Sequence, residues 1–174
     1  MIRVMAGSLV DVEAEAILRP VRSDFAPVSG ASRDVALAAG AELEARLERL
    51  GSLPVGGAVI TPSGSLGASF VIHAVVMSDE EPQTQFTVQK AVRNALARAA
   101  DWGVASLALP PLGIGVGLTE PEDAADALVR ILTGHLDGGS PPQELIIVTS
   151  SPYETDLFAS RVVEVERNLS EPGP

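Results

Sequence analysis

The 174-residue chain contains no cysteine and only two histidines, His73 and His135. The absence of cysteine excludes disulfide bonds, thiolate chemistry and cysteine-ligated zinc. With so few histidines, a histidine-based metal site is also disfavoured. We therefore expect neither a bound metal ion nor a cofactor.

Aromatic residues make up only 3% of the chain, although 46% of its residues are hydrophobic. The core must therefore be built from alanine, valine, leucine and isoleucine. The sequence has no run of about 18 apolar residues that could cross a membrane. Its N-terminus also lacks the basic-then-apolar layout of a signal peptide. These absences predict a cytoplasmic protein that has no membrane partner.

Positive charge is scarce: 12 lysines and arginines stand against 23 acidic residues, which gives a net charge of −11. A field of this sign repels nucleic acid, whose binding usually depends on neutralising phosphates. Nucleic acid is therefore not an expected partner. Any anion that binds must be held by local groups, against the charge of the whole molecule.

Short apolar runs alternate with longer amphipathic segments, which is typical of an α/β domain. The runs at 70–77 and 145–148 are apolar on both faces and predict central strands covered by helices on both sides. With no linker in the sequence, we expect one domain over residues 1–169 and a frayed tail over 170–174. The pattern predicts strands at 2–5, 14–19, 58–62, 70–77, 106–109 and 145–149, and helices at 32–50, 84–102, 120–136 and 153–168.

An apolar run at 107–112 ends in prolines and opens into a loop with glycine at every second position. A helix is predicted to begin soon afterwards, near Glu120. A strand that leads through a glycine-rich loop to a helix N-terminus is a recurrent phosphate-binding arrangement, because main-chain N–H groups can approach the anion closely. The same pattern also fits an ordinary flexible turn. The residues of this second loop are Gly113, Ile114, Gly115, Val116 and Gly117.

Several segments, in the same order, resemble the motifs of the macro domain, an ADP-ribose-binding module. Residues 7–10 take the place of a Gly-Asp-Ile-Thr motif, and residues 15–22 that of Asp-Ala-Ile-Val-Asn-Ala-Ala-Asn. Residues 28–31 resemble a Gly-Gly-Gly-Val loop, and the following segment ends in Ala-Ala-Gly at Gly40.

The resemblance continues through the second half of the chain. Residues 55–62 resemble the Gly-Glu-Ala strand start, and residues 70–75 are close to a Tyr-Val-Ile-His strand. Residues 109–117 resemble the Phe-Pro-x-Ile-Gly-Thr-Gly-Val phosphate loop. Altogether the resemblance covers roughly residues 2–157, and its strength lies in the order of the motifs.

The resemblance implies a three-layer α/β/α sandwich with a mixed, mostly parallel central sheet. The ligand, ADP-ribose or a related nucleotide, free or carried on a modified protein, would lie across the carboxyl ends of the strands. Its diphosphate would be held by backbone N–H groups of two loops, a mode that needs no basic residue. The first of these loops comprises Val28, Ser29, Gly30, Ala31 and Ser32.

Ser8 and Leu9 take the adenine side in this comparison. Ser8 replaces the acidic residue that, in the family, accepts a hydrogen bond from the adenine amino group. A hydroxyl can still accept, but the contact loses its charge assistance. Tyr153, after the last predicted strand, is expected either to stack on adenine or to staple the start of a helix.

Arg19 and Arg22 replace both asparagines of the family motif. In the family the second asparagine contacts the distal ribose and is needed for hydrolysis in several members. Arg22 is therefore the candidate for the distal-ribose pocket, where it would fill the pocket or clamp an anionic group. The alternative is that Arg22 turns outward and pairs with Asp24 or another carboxylate. Pro20, between the two arginines, predicts an altered loop backbone.

These departures favour a domain that binds ADP-ribose or a related nucleotide without hydrolysing it. Val28 and Ser29 carry side chains where the family has glycines, and Ile114 narrows the second loop. The alternative is an ADP-ribosyl hydrolase or O-acetyl-ADP-ribose deacetylase that uses a water held by a carboxylate, with Asp24 and Asp34 as candidates. No other catalytic residue is assigned.

Overall fold

A six-stranded sheet forms the middle layer of the computed structural model, which describes residues 1–170. The strands are β1 Ile2–Ala6, β2 Ala16–Arg22, β3 Ala58–Pro62, β4 Phe70–Met77, β5 Ser106–Leu109 and β6 Glu144–Thr149. Their spatial order is β1-β6-β5-β2-β4-β3. The β3–β4 pair is antiparallel and the other neighbouring pairs are parallel, which confirms the predicted mixed, mostly parallel sheet.

Helices cover both faces of the sheet, so the predicted three-layer sandwich is also confirmed. The helices are α1 Gly30–Ala39, α2 Ala41–Leu50, α3 Gln85–Asp101, α4 Pro121–Asp137 and α5 Pro152–Ser170. One apolar cluster joins the sheet to α3, α4 and α5, and the other joins it to α1 and α2. Side chains of β4 alternate between the two clusters, which explains why this strand is apolar on both faces.

The single helix predicted for residues 32–50 was wrong, because the segment forms two helices. Gly40 adopts a φ of 88° and separates α1 from α2 while its N–H bonds the Ala36 carbonyl. The Ala39 carbonyl at the end of α1 accepts instead from the N–H of Ser65, at 2.9 Å. A contact from the β3–β4 connection thus fixes where α1 stops. The apolar positions of the two short helices fall in a pattern that also fits one long helix.

Strand β2 begins two residues later and ends three residues later than predicted, and it includes Pro20, which we had expected in a loop. Pro20 stands opposite Ala74 of β4. On its other side, β2 pairs with β5 only at Ala16 and Ile17. Pro20 therefore lies where β2 has a partner strand on one side alone, a position at which a sheet tolerates proline.

The last helix, α5, extends to the end of the described residues. Of the predicted frayed tail at 170–174, Ser170 is the last residue of α5, and the other four residues lie outside the described range. None of the helices within residues 1–170 is long and apolar enough to cross a membrane.

Candidate functional site

A cavity of about 670 Å³ lies at the carboxyl ends of β1, β2, β5 and β6. Open α/β sheets place their ligands at this edge. The cavity is lined by residues near or just after the carboxyl ends of these strands and by the first half of α1. These residues include Gly7, Pro20, Pro110, Val148, Ser150 and Asp34. A more open groove of about 840 Å³ lies between α3 and α4, away from the strand ends.

The second glycine loop forms one wall of the cavity through Ile114, Gly115 and Val116. The main-chain N–H groups of Ile114 and Gly115 have no hydrogen-bond partner within residues 1–170. These two N–H groups are therefore unengaged donors, of the kind that a phosphate-binding loop requires. Gly113 and Gly117, also assigned to this loop from sequence, are not part of the cavity wall.

Gln85, the first residue of α3, holds the second loop in shape. Its Nε2 donates to the carbonyl of Gly113 at 2.7 Å and to that of Val116 at 3.2 Å. A Cβ atom on Gly113 would approach Gln85 Oε1 to 2.9 Å, so this glycine permits the close contact. Sequence reasoning missed Gln85, because nothing near it in the chain connects it with a loop 28 residues away.

The first loop forms the facing wall through Val28, Ser29, Gly30 and Ala31. Ser29 caps α1, since its Oγ accepts from the Ser32 N–H at 3.2 Å. The N–H groups of Gly30 and Ala31, at the start of the helix, have no partner within the described chain. The positive end of the helix dipole therefore adds to two free donors on this side as well.

Ser32, the last residue assigned to the first loop, has a structural place. Its side chain is fully buried and donates to the carbonyl of Pro20 at 2.6 Å. This bond ties the start of α1 to the end of β2. Ser32 consequently does not line the cavity.

The charged side chains on the cavity wall are both acidic: Asp34 and Glu154. No lysine or arginine of residues 1–170 lines it. An anion in this cavity would therefore be held by main-chain donors, helix ends and neutral side chains such as Ser29 and Gln83, without a basic residue.

Ser8 and Leu9 line the end of the cavity next to β6. The Gly7 N–H donates to the carbonyl of Thr149 at 3.0 Å, which places this loop beside the end of β6. Tyr153, expected either to stack on adenine or to staple the start of a helix, is 56% exposed and does not line the cavity. The next residue, Glu154, does.

Arg22 lies outside the cavity wall. Its guanidinium forms an ion pair with Asp79, just beyond the end of β4, and approaches the sulfur of Met77 at 3.8 Å. Of the two orientations that the sequence left open, the structure has the outward one, with Asp79 as the carboxylate. Asp24 instead accepts from the N–H of Ala26 at 3.0 Å.

Arg19 is buried beneath the first loop, on the α1 and α2 face of the sheet. Its Nη2 donates to the carbonyl of Phe25 at 2.6 Å, and Nη1 lies 3.5 Å from the carbonyl of Ser32. No carboxylate within residues 1–170 forms an ion pair with it. Burial lowers the pKa of Arg19 to about 10, so the side chain stays charged at neutral pH and anchors the chain that leads into the first loop.

His73 is fully buried opposite Arg19 on the neighbouring strand. Its Nε2 lies 2.9 Å from Thr61 Oγ1, so the histidine is buried and hydrogen-bonded. Burial, and secondly the charge of Arg19, lowers the pKa of His73 to about 3. The ring is therefore neutral at physiological pH and has a structural role. Within residues 1–170, no three histidine or acidic side chains come together as metal ligands would.

Because the unfolded chain binds a proton at His73 near pH 6.5 and the folded chain does not, stability should fall as the pH drops below about 6.5. At about 1.4 kcal/mol per pH unit, this residue accounts for a loss of about 2–3 kcal/mol between pH 7 and pH 4.5. Urea unfolding of wild type and of His73→Gln between pH 7 and pH 4.5 tests this prediction. The gap between their free energies of unfolding should shrink by that amount on acidification; a constant gap would refute the assignment. His135→Gln controls for the loss of a histidine elsewhere.

Comparison with known proteins identifies the family. The macro domain family model matches residues 21–128, more than half of the chain. An uncharacterized protein of Aeropyrum pernix is 36% identical over 152 residues, which are 85% of this chain and 78% of the relative. An O-acetyl-ADP-ribose deacetylase of Klebsiella pneumoniae is 31% identical over 151 residues, 83% of this chain and 86% of the relative.

The fold agrees with this match. The solved structure of the Oceanobacillus iheyensis macrodomain with ADP superimposes with a TM-score of 0.79. The two chains are 19% identical, and the alignment covers 94% of this chain and 90% of the other. The family model, the relatives and the order of strands and helices agree, and this chain belongs to the macro domain family.

Proposed function

We propose that this macro domain binds ADP-ribose, free or carried on a modified protein, in the cavity at the strand ends and does not hydrolyse it. The observation that carries the proposal is the set of free N–H donors on the two facing loops, at Gly30, Ala31, Ile114 and Gly115. A diphosphate between the loops can accept from both sides at once. In this mode no basic side chain is required, which suits a cavity whose charged groups are acidic.

The orientation of the ligand in this proposal is taken from the resemblance to other macro domains. Adenine would occupy the side of Ser8 and Leu9, between the ends of β1 and β6, and the distal ribose would extend from the loops in the other direction. Arg22, in place of an asparagine needed for hydrolysis in several family members, is engaged with Asp79. The lack of that asparagine supports binding without hydrolysis.

Titration of the protein with ADP-ribose by calorimetry tests the proposal, with ADP and AMP as matched probes. We expect ADP-ribose and ADP to bind, and AMP to bind at least about tenfold more weakly because one phosphate cannot bond both loops with charge assistance. Absence of heat and of any thermal shift at millimolar ADP-ribose would refute the proposal. Equal binding of AMP and ADP would refute the two-loop mode.

A second candidate function is deacetylation of O-acetyl-ADP-ribose. It is favoured by the name of the Klebsiella relative and by the carboxylate of Asp34 on the cavity wall, which could hold a water. Asp24, the other carboxylate considered, is engaged with its own turn and does not line this cavity. Release of acetate from O-acetyl-ADP-ribose that is lost in Asp34→Asn, while binding remains, would establish this function instead.

A further inference from the structure

We propose that Glu154 selects the base of the nucleotide by accepting a hydrogen bond from the 6-amino group of adenine. This inference rests on the proposed function, with adenine beside Ser8 and Leu9. The loop after β1 carries no acidic side chain at that place, since Ser8 stands there. Glu154 brings a carboxylate to the same end of the cavity from the last helix of the fold.

Glu154 belongs to the first turn of α5 and is held in a fixed orientation. Its Oε2 accepts from the Ser150 N–H at 3.1 Å and lies 3.2 Å from Ser150 Oγ, which also donates to it. The N–H of Glu154 in turn donates to Ser151 Oγ at 3.2 Å. Two donors therefore restrain one carboxylate oxygen.

The other carboxylate oxygen, Oε1, has no hydrogen-bond partner within residues 1–170. Because Glu154 lines the cavity, this oxygen is a preoriented acceptor available to a ligand. Little side-chain entropy remains to be lost when it forms a bond, since the carboxylate is already restrained by Ser150.

Glu154 lies near the carboxyl ends of β1 and β6, on the side of the diphosphate loops where adenine is proposed to bind. The loop after β1 is bonded to the end of β6 through Gly7 and Thr149. Ser8, Leu9, Ser150 and Glu154 line the cavity together there. The two diphosphate loops follow β2 and β5, which lie further into the sheet.

An ionised carboxylate only accepts hydrogen bonds, so it distinguishes purines by what they carry at position 6. Adenine offers an amino donor there, whereas hypoxanthine offers a carbonyl oxygen that the carboxylate repels. Unsubstituted purine offers neither. Charge-assisted hydrogen bonds are about twice as strong as neutral ones, and the base should accordingly be read mainly by this contact.

The test compares ADP, IDP and purine riboside 5′-diphosphate, which has hydrogen in place of the amino group, by calorimetry. We expect wild type to prefer ADP over both others by about tenfold or more. Glu154→Gln should reduce that preference to about threefold or less, since its amide is a neutral and weaker acceptor. Glu166→Gln makes the same charge change on an exposed position of α5 and should keep the wild-type preference.

The outcomes separate the two proposals. If wild type binds ADP and purine riboside 5′-diphosphate equally well, or if Glu154→Gln keeps the preference, base selection by Glu154 is wrong while nucleotide binding stands. If IDP binds as tightly as ADP, the carboxylate reads the N1–H group instead, and the inference is equally overturned. If neither ADP nor ADP-ribose binds, the proposed function fails and this inference fails with it.

Discussion

Gly115→Glu is expected to abolish ADP-ribose binding, with a loss of affinity of at least about a hundredfold. Gly115 lines the cavity, and a Cβ built on it meets no atom within 4 Å, so a longer side chain has open space to enter. Its carboxylate would then lie where the diphosphate binds. Two like charges about 4 Å apart repel by several kcal/mol near a protein surface, which exceeds the gain from any single hydrogen bond.

Gly117→Glu is the matched control for this variant. Gly117 has a φ of 66° against 73° for Gly115, and its Cβ position is equally open. Both variants therefore add the same charge and the same strain of a left-handed residue, about 1–2 kcal/mol. Gly117 does not line the cavity, so calorimetry should find its affinity within a few-fold of wild type. Similar losses in both variants would show that the loop, and not its cavity face, was disturbed.

The sheet could be predicted from sequence because burial leaves a local pattern. Strands β3, β4 and β5 have the predicted bounds. Each is an apolar run that ends at turn residues or where the hydrophobic pattern changes its period. The glycine loop at 113–117 was recognisable for a similar reason: its spacing is local, and the residues before and after it indicate a strand and a helix. These features depend on neighbours in the chain.

The parts of the site that sequence reasoning missed depend on contacts between distant segments. Gln85 bonds the second loop, which lies 28 residues further along the chain. Arg22 pairs with Asp79, which is 57 residues away in the sequence. Tyr153 was named from the sequence, but the face of the first turn of α5 that meets the cavity carries Glu154 instead. One residue of difference changes the direction of a helical side chain by about 100°, which no motif of this chain records.

The second large effect concerns the break between α1 and α2, which sequence reasoning also missed. Gly64→Ala is expected to destabilise the fold by at least about 3 kcal/mol, because a Cβ there would lie 2.3 Å from the carbonyl oxygen of Ala39. That atom belongs to the backbone and cannot rotate away. The strain of a left-handed alanine, about 1–2 kcal/mol, adds to the clash.

Gly103→Ala is the matched control, because it introduces the strain of a left-handed alanine without the clash. Gly103 has a φ of +64°, against +63° for Gly64, and a Cβ on it meets nothing within 4 Å. Urea unfolding should therefore show a loss of about 1–2 kcal/mol for Gly103→Ala and a clearly larger one for Gly64→Ala.

Relief of the clash requires the end of α1 to move, since Ala39 also accepts the Ser65 N–H. The start of α1 carries the first loop, so Gly64→Ala should also weaken ADP-ribose binding while Gly103→Ala should not. Equal losses of stability in the two variants would mean that Ala39 and Gly64 are not in contact in solution.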